Sequence, residues 1–282
     1  MKKSLLKRYA RLIVRTGANV QKGQPVIVRA ELDNPEFVCM VTEEAYKAGA
    51  SEVEVIWTHQ PLVKIHNHRQ KLETLGEVKD WQELRLRNQA KNLPAEIYLI
   101  SEDPDGLAGI DQEKRAKAIQ SRYKVIKPIS DSMENKYQWC IAAVPGVKWA
   151  KKVFPSLSKS RAVEKLWEEI LFTSRADGDD PVKAWEKHNA DLSARCDYLN
   201  SLGLTELHYT APNGTDLRVG MIPNALFLGG REHVPHTGVV YNPNIPTEEI
   251  FITPMRGKAE GIVYGTKPFS YRGQLIEGFS IR

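Results

Sequence analysis

The chain has 282 residues, is 41% hydrophobic and 27% charged, and has a mean hydropathy of −0.42. These values are typical of a folded protein with one or two domains and exclude a disordered or fibrous chain. Its 40 basic and 35 acidic residues give a net charge of +5 and are interspersed, which argues against nucleic-acid binding. No apolar stretch approaches the roughly 20 residues that a membrane span requires. We expect a cytoplasmic protein in which Cys39, Cys140 and Cys196, odd in number and widely spaced, are buried thiols rather than disulfides.

The first half of the sequence alternates helical and strand patterns, which predicts an open, mostly parallel sheet with flanking helices. Strand patterns occur at 25–30, 52–57, 96–101 and 138–144. Asn34 is expected to cap a helix that has Pro35 in its first turn and ends at Gly49. We predict an α/β amino-terminal domain over residues 1–160.

Polar residues follow three of these predicted strands. They are Glu31-Leu32-Asp33, His59 and Glu102-Asp103-Pro104. Ligands of open α/β sheets bind at the carboxyl ends of the strands, so one hypothesis is a small-molecule enzyme that works at this edge. Ordinary loops and helix caps are the favoured interpretation, and no glycine-rich phosphate-binding motif follows any of the strands.

From about Arg161 the pattern changes to two helices and then to short strands. The second helix is predicted to begin at Asp180-Pro181 and to end near Gly203. Strand patterns bounded by turn residues follow at 204–210, 215–219, 238–241, 249–253, 261–265 and 274–281. We predict that residues 161–282 form a helical bridge and a strand-rich, antiparallel α+β region.

Two carboxylates lie at the start of one of these predicted strands. In the segment 244–251, a turn with proline precedes Glu248 and Glu249, and strand alternation would send them to opposite faces. A carboxylate on the inner face is costly unless a cation satisfies it, which makes Glu249 a candidate metal ligand. Spacing alone favours a role other than metal binding.

A second polar segment places Glu232, His233 and His236 within five residues. Two imidazoles and a carboxylate can bind a metal, but Pro235 prevents a helical presentation, so a surface loop is favoured. No His-Glu-x-x-His motif and no Gly-x-Ser-x-Gly elbow is present, which excludes classical zinc proteases and hydrolases with that nucleophile. Local motifs therefore define no mechanism.

Several longer motifs occur in a fixed order along nearly the whole chain. They are Glu-Ala-Tyr-x-x-Gly-Ala at 44–50, Asp-Pro-Val-x-Ala-Trp-x-x-His at 180–188, Asn-Ile-Pro-Thr-Glu-Glu-Ile-Phe-Ile-Thr-Pro at 244–254 and Thr-Lys-Pro-Phe-x-Tyr-x-Gly at 266–273. In this order they resemble the aminopeptidase S/aminopeptidase T family. The resemblance implies a cytoplasmic, homodimeric hydrolase that removes amino-terminal residues from peptides with a free amino terminus.

The resemblance also implies a catalytic centre with two divalent metal ions, either zinc, cobalt or manganese, held by carboxylates and histidines. It makes Glu249 a metal ligand and Glu248 its outward neighbour, and it gives no role to His233 or His236. Family members continue beyond the equivalent of Arg282 and take their other ligands from that part. We therefore expect a carboxy-terminally truncated member that carries only the first ligand, ends within its catalytic domain and is inactive as it stands. The alternative is a non-catalytic binding or regulatory relative with the same fold.

Overall fold

A computed structural model describes residues 1–282 of the protein. Its helices are α1 (Lys3–Leu12), which continues into a π-helical turn (Ile13–Gly17), α2 (Pro35–Ala48), α3 (Gln60–Arg69), α4 (Leu72–Gly76), α5 (Asp80–Asn92), α6 (Gln112–Asp131), α7 (Val147–Val153), α8 (Lys159–Thr173) and α9 (Pro181–Ser201). Its strands are β1 (Pro25–Glu31), β2 (Glu52–Thr58), β3 (Ala95–Ile100), β4 (Trp139–Ala143), β5 (Glu206–Thr210), β6 (Asp216–Met221), β7 (Leu228–Gly229), β8 (Glu232–His233), β9 (Val240–Tyr241), β10 (Asn244–Ile245), β11 (Ile250–Phe251), β12 (Pro254–Tyr264), β13 (Phe269–Tyr271), β14 (Gln274–Ile276) and β15 (Ser280–Ile281).

The main sheet has five parallel strands in the order β10-β4-β3-β1-β2. Four of them coincide with predicted strands to within one residue at each end, which confirms the α/β class. The fifth strand, β10, comes from the second half of the chain and pairs with the edge of β4. It was not predicted, because a strand of two residues has no measurable periodicity.

One face of this sheet carries the main apolar core. Val28 of β1 and Ile97 of β3 are fully buried beneath α1 and α2. The ring of Phe37 stacks on Tyr9 at a centroid distance of 5.6 Å and tilts against Trp167 at 5.2 Å. Because Trp167 lies in α8, the predicted bridge begins by packing on the core of the first half.

Helix α9 and strand β10 extend the same core. The side chain of Trp185 in α9 is fully buried, and its Nε1 donates a hydrogen bond to the carbonyl of Ser174 at 2.8 Å. Ile245 of β10 belongs to the same cluster of buried residues. A domain division at residue 160 stays a prediction, and the apolar core itself runs continuously across that position.

The opposite face of the sheet carries a buried ion pair beneath polar helices. Arg29 Nε donates to Glu96 Oε2 at 2.9 Å, and Glu96 is 3% exposed. Arg29 and Ile56 face residues of α5 and α6. The helices α3, α4 and α5 were not predicted, because frequent charged and amide side chains interrupt their apolar spacing.

The second half is rich in antiparallel strands, as predicted. A four-stranded sheet has the order β15-β12-β6-β5, and the pairs β7–β11, β8–β9 and β13–β14 surround it. Its buried apolar cluster contains only Cys196, Met221 and Phe227, against 30 residues in the main core. The first half and the two bridge helices therefore supply most of the buried apolar surface.

All three cysteines are free thiols. Cys140 and Cys196 are buried as expected, but Cys39 is exposed, because it lies on the outward face of α2 between core-facing neighbours. Asn213-Gly214-Thr215 forms a turn in which Asn213 Oδ1 accepts from the Thr215 amide at 3.1 Å. None of the helices combines the length and the apolar character that crossing a membrane demands.

The amino-terminal cap of α9 provides a stability test. Asp180 Oδ1 accepts a hydrogen bond from the Lys183 amide at 3.1 Å, and Pro181 follows in the first turn. We expect Asp180→Ala to lower the free energy of unfolding by about 1 kcal/mol, measured by urea denaturation. Asp179→Ala is the matched control, since that side chain is fully exposed, caps no helix and forms only a 3.6 Å surface ion pair with Arg8. Equal shifts of the two midpoints would contradict the capping role.

Candidate functional site

The segment between β9 and β11 carries both candidate carboxylates. Its start is held where β10 pairs with β4, and its end is held where β11 pairs antiparallel with β7. Gly229 of β7 lies so close to this end that an added Cβ would approach the Glu249 carbonyl oxygen to 2.8 Å. The backbone on both sides of Glu248 and Glu249 is therefore fixed.

Helix α9 holds the same segment through two consecutive polar side chains. Asn189 and Asn242 form a reciprocal pair, with Nδ2 to Oδ1 distances of 3.1 and 2.8 Å. His188 Nε2 lies 2.7 Å from the carbonyl oxygen of Thr247, so this nitrogen is the protonated donor. The imidazole is 8% exposed and packs edge-on against Trp185. The position of the carboxylate pair is thus set by the core-facing side of α9.

The two carboxylates have different surroundings. Glu248 Oε1 accepts from Arg175 Nη1 at 2.6 Å, and this hydrogen bond holds the pKa of Glu248 below its usual value. Glu249 is exposed, and the polar contacts of the segment involve Thr247 and Glu248 instead. The prediction that one of the two points inward is wrong: both are exposed, because β11 begins only at Ile250 and strand alternation does not apply to them. Glu249 is left as a free carboxylate on a fixed backbone.

Glu249 fits one position of an oxygen-ligated metal site, because it is ionisable, accessible and unpaired. Nowhere in residues 1–282 do three or more His, Cys, Asp or Glu side chains stand close enough together to hold a metal ion. Since a divalent metal takes about four or more ligands, these residues do not complete a metal centre by themselves. They do not by themselves account for metal-centred hydrolysis.

The histidine-rich segment is placed on the surface. His233 lies in β8 and is exposed, and His236 is exposed in the turn that follows. Glu232 is engaged elsewhere, because its Oε2 accepts from the Tyr241 hydroxyl at 2.9 Å. The arrangement fits the surface interpretation that the sequence favoured.

The polar residues after β1, β2 and β3 are brought together at the carboxyl edge of the parallel sheet. Two adjoining cavities of about 490 and 380 Å³, termed the sheet-crest cavities, share Glu31, Gln60, Glu102 and Asp103 among their lining residues. The edge includes the switch point between β1 and β3, from which the strand order runs in opposite directions. The smaller cavity also contacts His59 and Asp33.

Glu31 is the most deeply buried of these carboxylates and is fully engaged. It is 8% exposed, its Oε1 accepts from Thr58 Oγ1 at 2.8 Å, and its Oε2 accepts from the Gln60 amide at 3.0 Å. Glu102 has no such partner and is solvent-exposed, yet partial desolvation by the surrounding atoms, and then the Glu31 charge, raise its pKa. Two neighbouring carboxylates, one satisfied and one not, therefore face the same cavities.

A pH-dependent stability follows from Glu102. Its raised pKa in the folded state means that folded protein binds more protons there than unfolded protein does, so stability falls as pH rises from the unfolded value towards the folded one. We expect Glu102→Gln to melt at a higher temperature than the unchanged protein at pH 7, with the difference shrinking towards pH 4. Glu36→Gln, on α2 and outside both cavities, is the control, and a parallel shift in both variants would contradict a specific contribution from Glu102.

A family model described as thermophilic metalloprotease (M29) matches residues 2–282. The chain belongs to the M29 family. Aminopeptidase AmpS of Bacillus subtilis is 36% identical over 277 residues, which cover 98% of this chain and 67% of that protein. Aminopeptidase T of Thermus thermophilus is 35% identical over 278 residues, covering 98% of this chain and 68% of that protein. The structure of wild-type AmpT from Thermus thermophilus matches with a TM-score of 0.87 at 34% identity, over 99% of this chain and 69% of that one.

M29 membership confirms the predicted family, and the structural match confirms the predicted fold class. Divalent metal ions are supported as cofactors because the family is one of metalloproteases. The number and identity of the ions, the role of Glu249, the homodimer and the compartment stay predictions.

Several residues that shape this candidate site could be recognised only in the folded chain. Arg175 reaches Glu248 across 73 residues of sequence, and Asn189 reaches Asn242 across 53. The spacing of Trp185 and His188 on α9 is the one local signal, since residues three apart share a helix face. This spacing predicts that Trp185 and His188 lie on one packed face of α9, but it does not indicate which segment of the chain that face contacts.

Proposed function

We propose that this protein is a metal-dependent aminopeptidase that removes amino-terminal residues from peptides with a free amino terminus. Membership of the M29 family supports the proposal, as do the names of relatives that are 35–36% identical. The observation that carries it is the state of Glu249: an unpaired carboxylate on backbone that α9, β7 and β10 hold in place.

In this proposal Glu249 ligates one of two divalent ions, which are zinc, cobalt or manganese. Such ions, when bound, activate a water molecule and polarise the scissile carbonyl. Glu248 supports the segment by pairing with Arg175, and His188 fixes the backbone next to it through Thr247. Glu249 is thus the metal ligand, while Glu248 and His188 hold its segment of backbone in place.

The remaining ligands belong, in the same proposal, to polypeptide that corresponds to the third of the relatives outside the matched region, or to a partner chain. The 282-residue chain alone is then inactive towards peptides. We further propose that the protein is a cytoplasmic homodimer and that its domains comprise residues 1–160 and 161–282. The amino-terminal α/β domain would restrict entry to peptide ends.

Chelation tests the proposed activity. The protein, expressed from its gene with whatever polypeptide its reading frame adds, should release leucine from Leu-Gly-Gly. A strong chelator should lower the rate by at least about 100-fold, because ligating and metal-orienting groups together account for effects of that size, and added zinc, cobalt or manganese should restore it. N-acetyl-Leu-Gly-Gly is the control and should not be cleaved. A rate that persists in the chelator would refute the proposal.

A non-catalytic binding or regulatory relative is the second candidate, because the described residues do not bring three metal ligands together. Equilibrium dialysis separates the two functions. Peptide binding without turnover, in protein saturated with divalent metal, would favour the binding module. Turnover that scales with bound metal would favour the peptidase.

A further inference from the structure

The larger sheet-crest cavity is built from both halves of the chain. Strand ends, the start of α3 and the loop before α6 form most of its wall, and the turn of the β13–β14 hairpin closes one side. Three hydrogen bonds dock the hairpin. They run from the Leu107 amide to the Gly273 carbonyl at 2.9 Å, from Ser270 Oγ to the Pro104 carbonyl at 2.8 Å and from the Leu275 amide to Asp105 Oδ1 at 3.3 Å. At Gly273 the contact is so tight that an added Cβ would lie 2.7 Å from Leu107. The cavity is therefore a feature of the assembled fold.

Two guanidinium groups face this cavity without a carboxylate partner. Arg115 of α6 and Arg272 of the hairpin turn both line it. Burial, and then the nearby Arg272 charge, lower the pKa of Arg115. Arg272 lies over the ring of Tyr271 at 5.1 Å, a position that orients its guanidinium and leaves its N–H donors free. Two neighbouring guanidinium groups without a carboxylate partner make this side of the cavity suited to an anionic group.

Negative charge lines the same cavity from the strand side. Glu102 is unpaired and Glu31 lies beside it, and partial desolvation followed by the Glu31 charge raises the pKa of Glu102. A carboxylate and two guanidinium groups without partners thus line one cleft, an arrangement that makes the cleft a candidate ligand site. Between them, Val63, Ile100, Leu107 and Trp149 supply apolar surface.

We propose that the larger sheet-crest cavity binds a small zwitterion, namely a free α-amino acid or a short peptide with an apolar side chain. The ammonium group would lie against Glu31 and Glu102, and the carboxylate against Arg115 and Arg272. Guanidinium groups suit a carboxylate because they donate parallel hydrogen bonds to its two oxygens. The cavity volume of about 490 Å³ falls within the usual range for small-molecule sites.

Other ligand classes match this charge pattern less well. A phosphate or nucleotide would be repelled by Glu31 and Glu102, and a metal cation would be repelled by the two arginines. The inference does not depend on the peptidase proposal, because the cavity and its charges involve neither Glu249 nor a metal ion. An amino acid or short peptide is nevertheless the kind of molecule that a peptidase releases.

Calorimetric titration of chelator-treated protein tests the site without hydrolysis. We expect saturable binding of L-leucine or of leucylglycine, and the tighter of the two identifies a free amino acid or a short peptide as the ligand. Leucinamide lacks the carboxylate and N-acetylleucine lacks the ammonium group, so each should bind at least about tenfold more weakly than leucine. Equal binding of all these compounds, or no saturable binding of leucine and leucylglycine, would overturn the proposal.

Charge-removing variants locate the site within the chain. Glu102→Gln, Arg115→Gln and Arg272→Gln should each weaken binding by about tenfold or more, since each removes one charged contact. Arg11→Gln and Glu36→Gln are the matched controls on α1 and α2, are exposed, and should bind as the unchanged protein does. Circular dichroism and melting curves establish that every variant folds. Unchanged binding in all three cavity variants would place the ligand elsewhere and overturn the assignment.

Discussion

Glu249→Gln is expected to lower the peptidase rate of the metal-loaded protein by more than about 100-fold, because losing a ligand costs more than losing a group that only orients one. Glutamine keeps the size and the hydrogen-bonding oxygen of the side chain and removes its charge. The bound metal, measured by inductively coupled plasma mass spectrometry after dialysis, should fall in parallel. Stability should change little, since the side chain is exposed and forms no hydrogen bond or ion pair within the chain.

Glu248→Gln is the matched control for this prediction, because it removes the same charge one residue away. Its carboxylate accepts a hydrogen bond from Arg175 at 2.6 Å, so the variant weakens an ion pair that supports the segment and removes no metal ligand. We expect a loss of rate below about tenfold, at the lower limit for groups outside the coordination sphere, with metal content unchanged. Similar mild effects from both substitutions would remove Glu249 from the metal site.

Trp185→Ala is expected to have the largest effect on stability, lowering the free energy of unfolding by about 3–5 kcal/mol. The side chain is fully buried in the main core, and its removal leaves a large cavity beneath α9. His188 packs edge-on against the same ring, so the substitution should also loosen the segment that carries Glu249. Chemical denaturation measures the first effect, and metal affinity measures the second.

Trp185→Phe separates the two contributions of this residue. It retains most of the apolar ring and removes the Nε1 donor to the Ser174 carbonyl, which is left without that hydrogen bond in a buried position. We expect a smaller loss, about 1–3 kcal/mol, which is the usual cost of an unsatisfied buried polar group. An alanine variant that is as stable as the phenylalanine variant would show that the ring contributes little to the core.

Local patterns predicted the elements whose physical causes are local. The four long strands of the parallel sheet were found because their residues are rich in apolar, β-branched side chains, which is a local property. Helix α2 lies between Asn34 and Gly49 as predicted, but Asn34 forms no side-chain capping hydrogen bond, since its Nδ2 donates to the Pro145 carbonyl instead. Strand β10 escaped prediction because its two residues are defined only by pairing with β4. The helices between 60 and 92 were missed because charged and amide side chains interrupt their apolar spacing, and α4 and α5 are recognised only from their packing on α6.

In the candidate sites, too, features with local causes were predicted and features that depend on tertiary contacts were not. The motif at 244–254 suggested Glu249, whose role as a metal ligand stays a prediction. The expectation that one of the two carboxylates points inward was wrong, since strand β11 begins only at Ile250. Sequence placed Glu31, His59 and Glu102 at strand ends, which is a local property. It could not place Arg115 and Arg272 in the same cavity, because their proximity depends on the docking of the β13–β14 hairpin onto the first half of the chain.

The most direct test of the metal-ligand assignment is anomalous X-ray diffraction, recorded at the zinc edge, from crystals of the active, zinc-loaded protein. The account predicts an anomalous peak at about 2.0–2.2 Å from a carboxylate oxygen of Glu249, the usual zinc–oxygen distance, and none beside Glu248. Peaks confined to other residues, in crystals of protein that cleaves peptides, would contradict it.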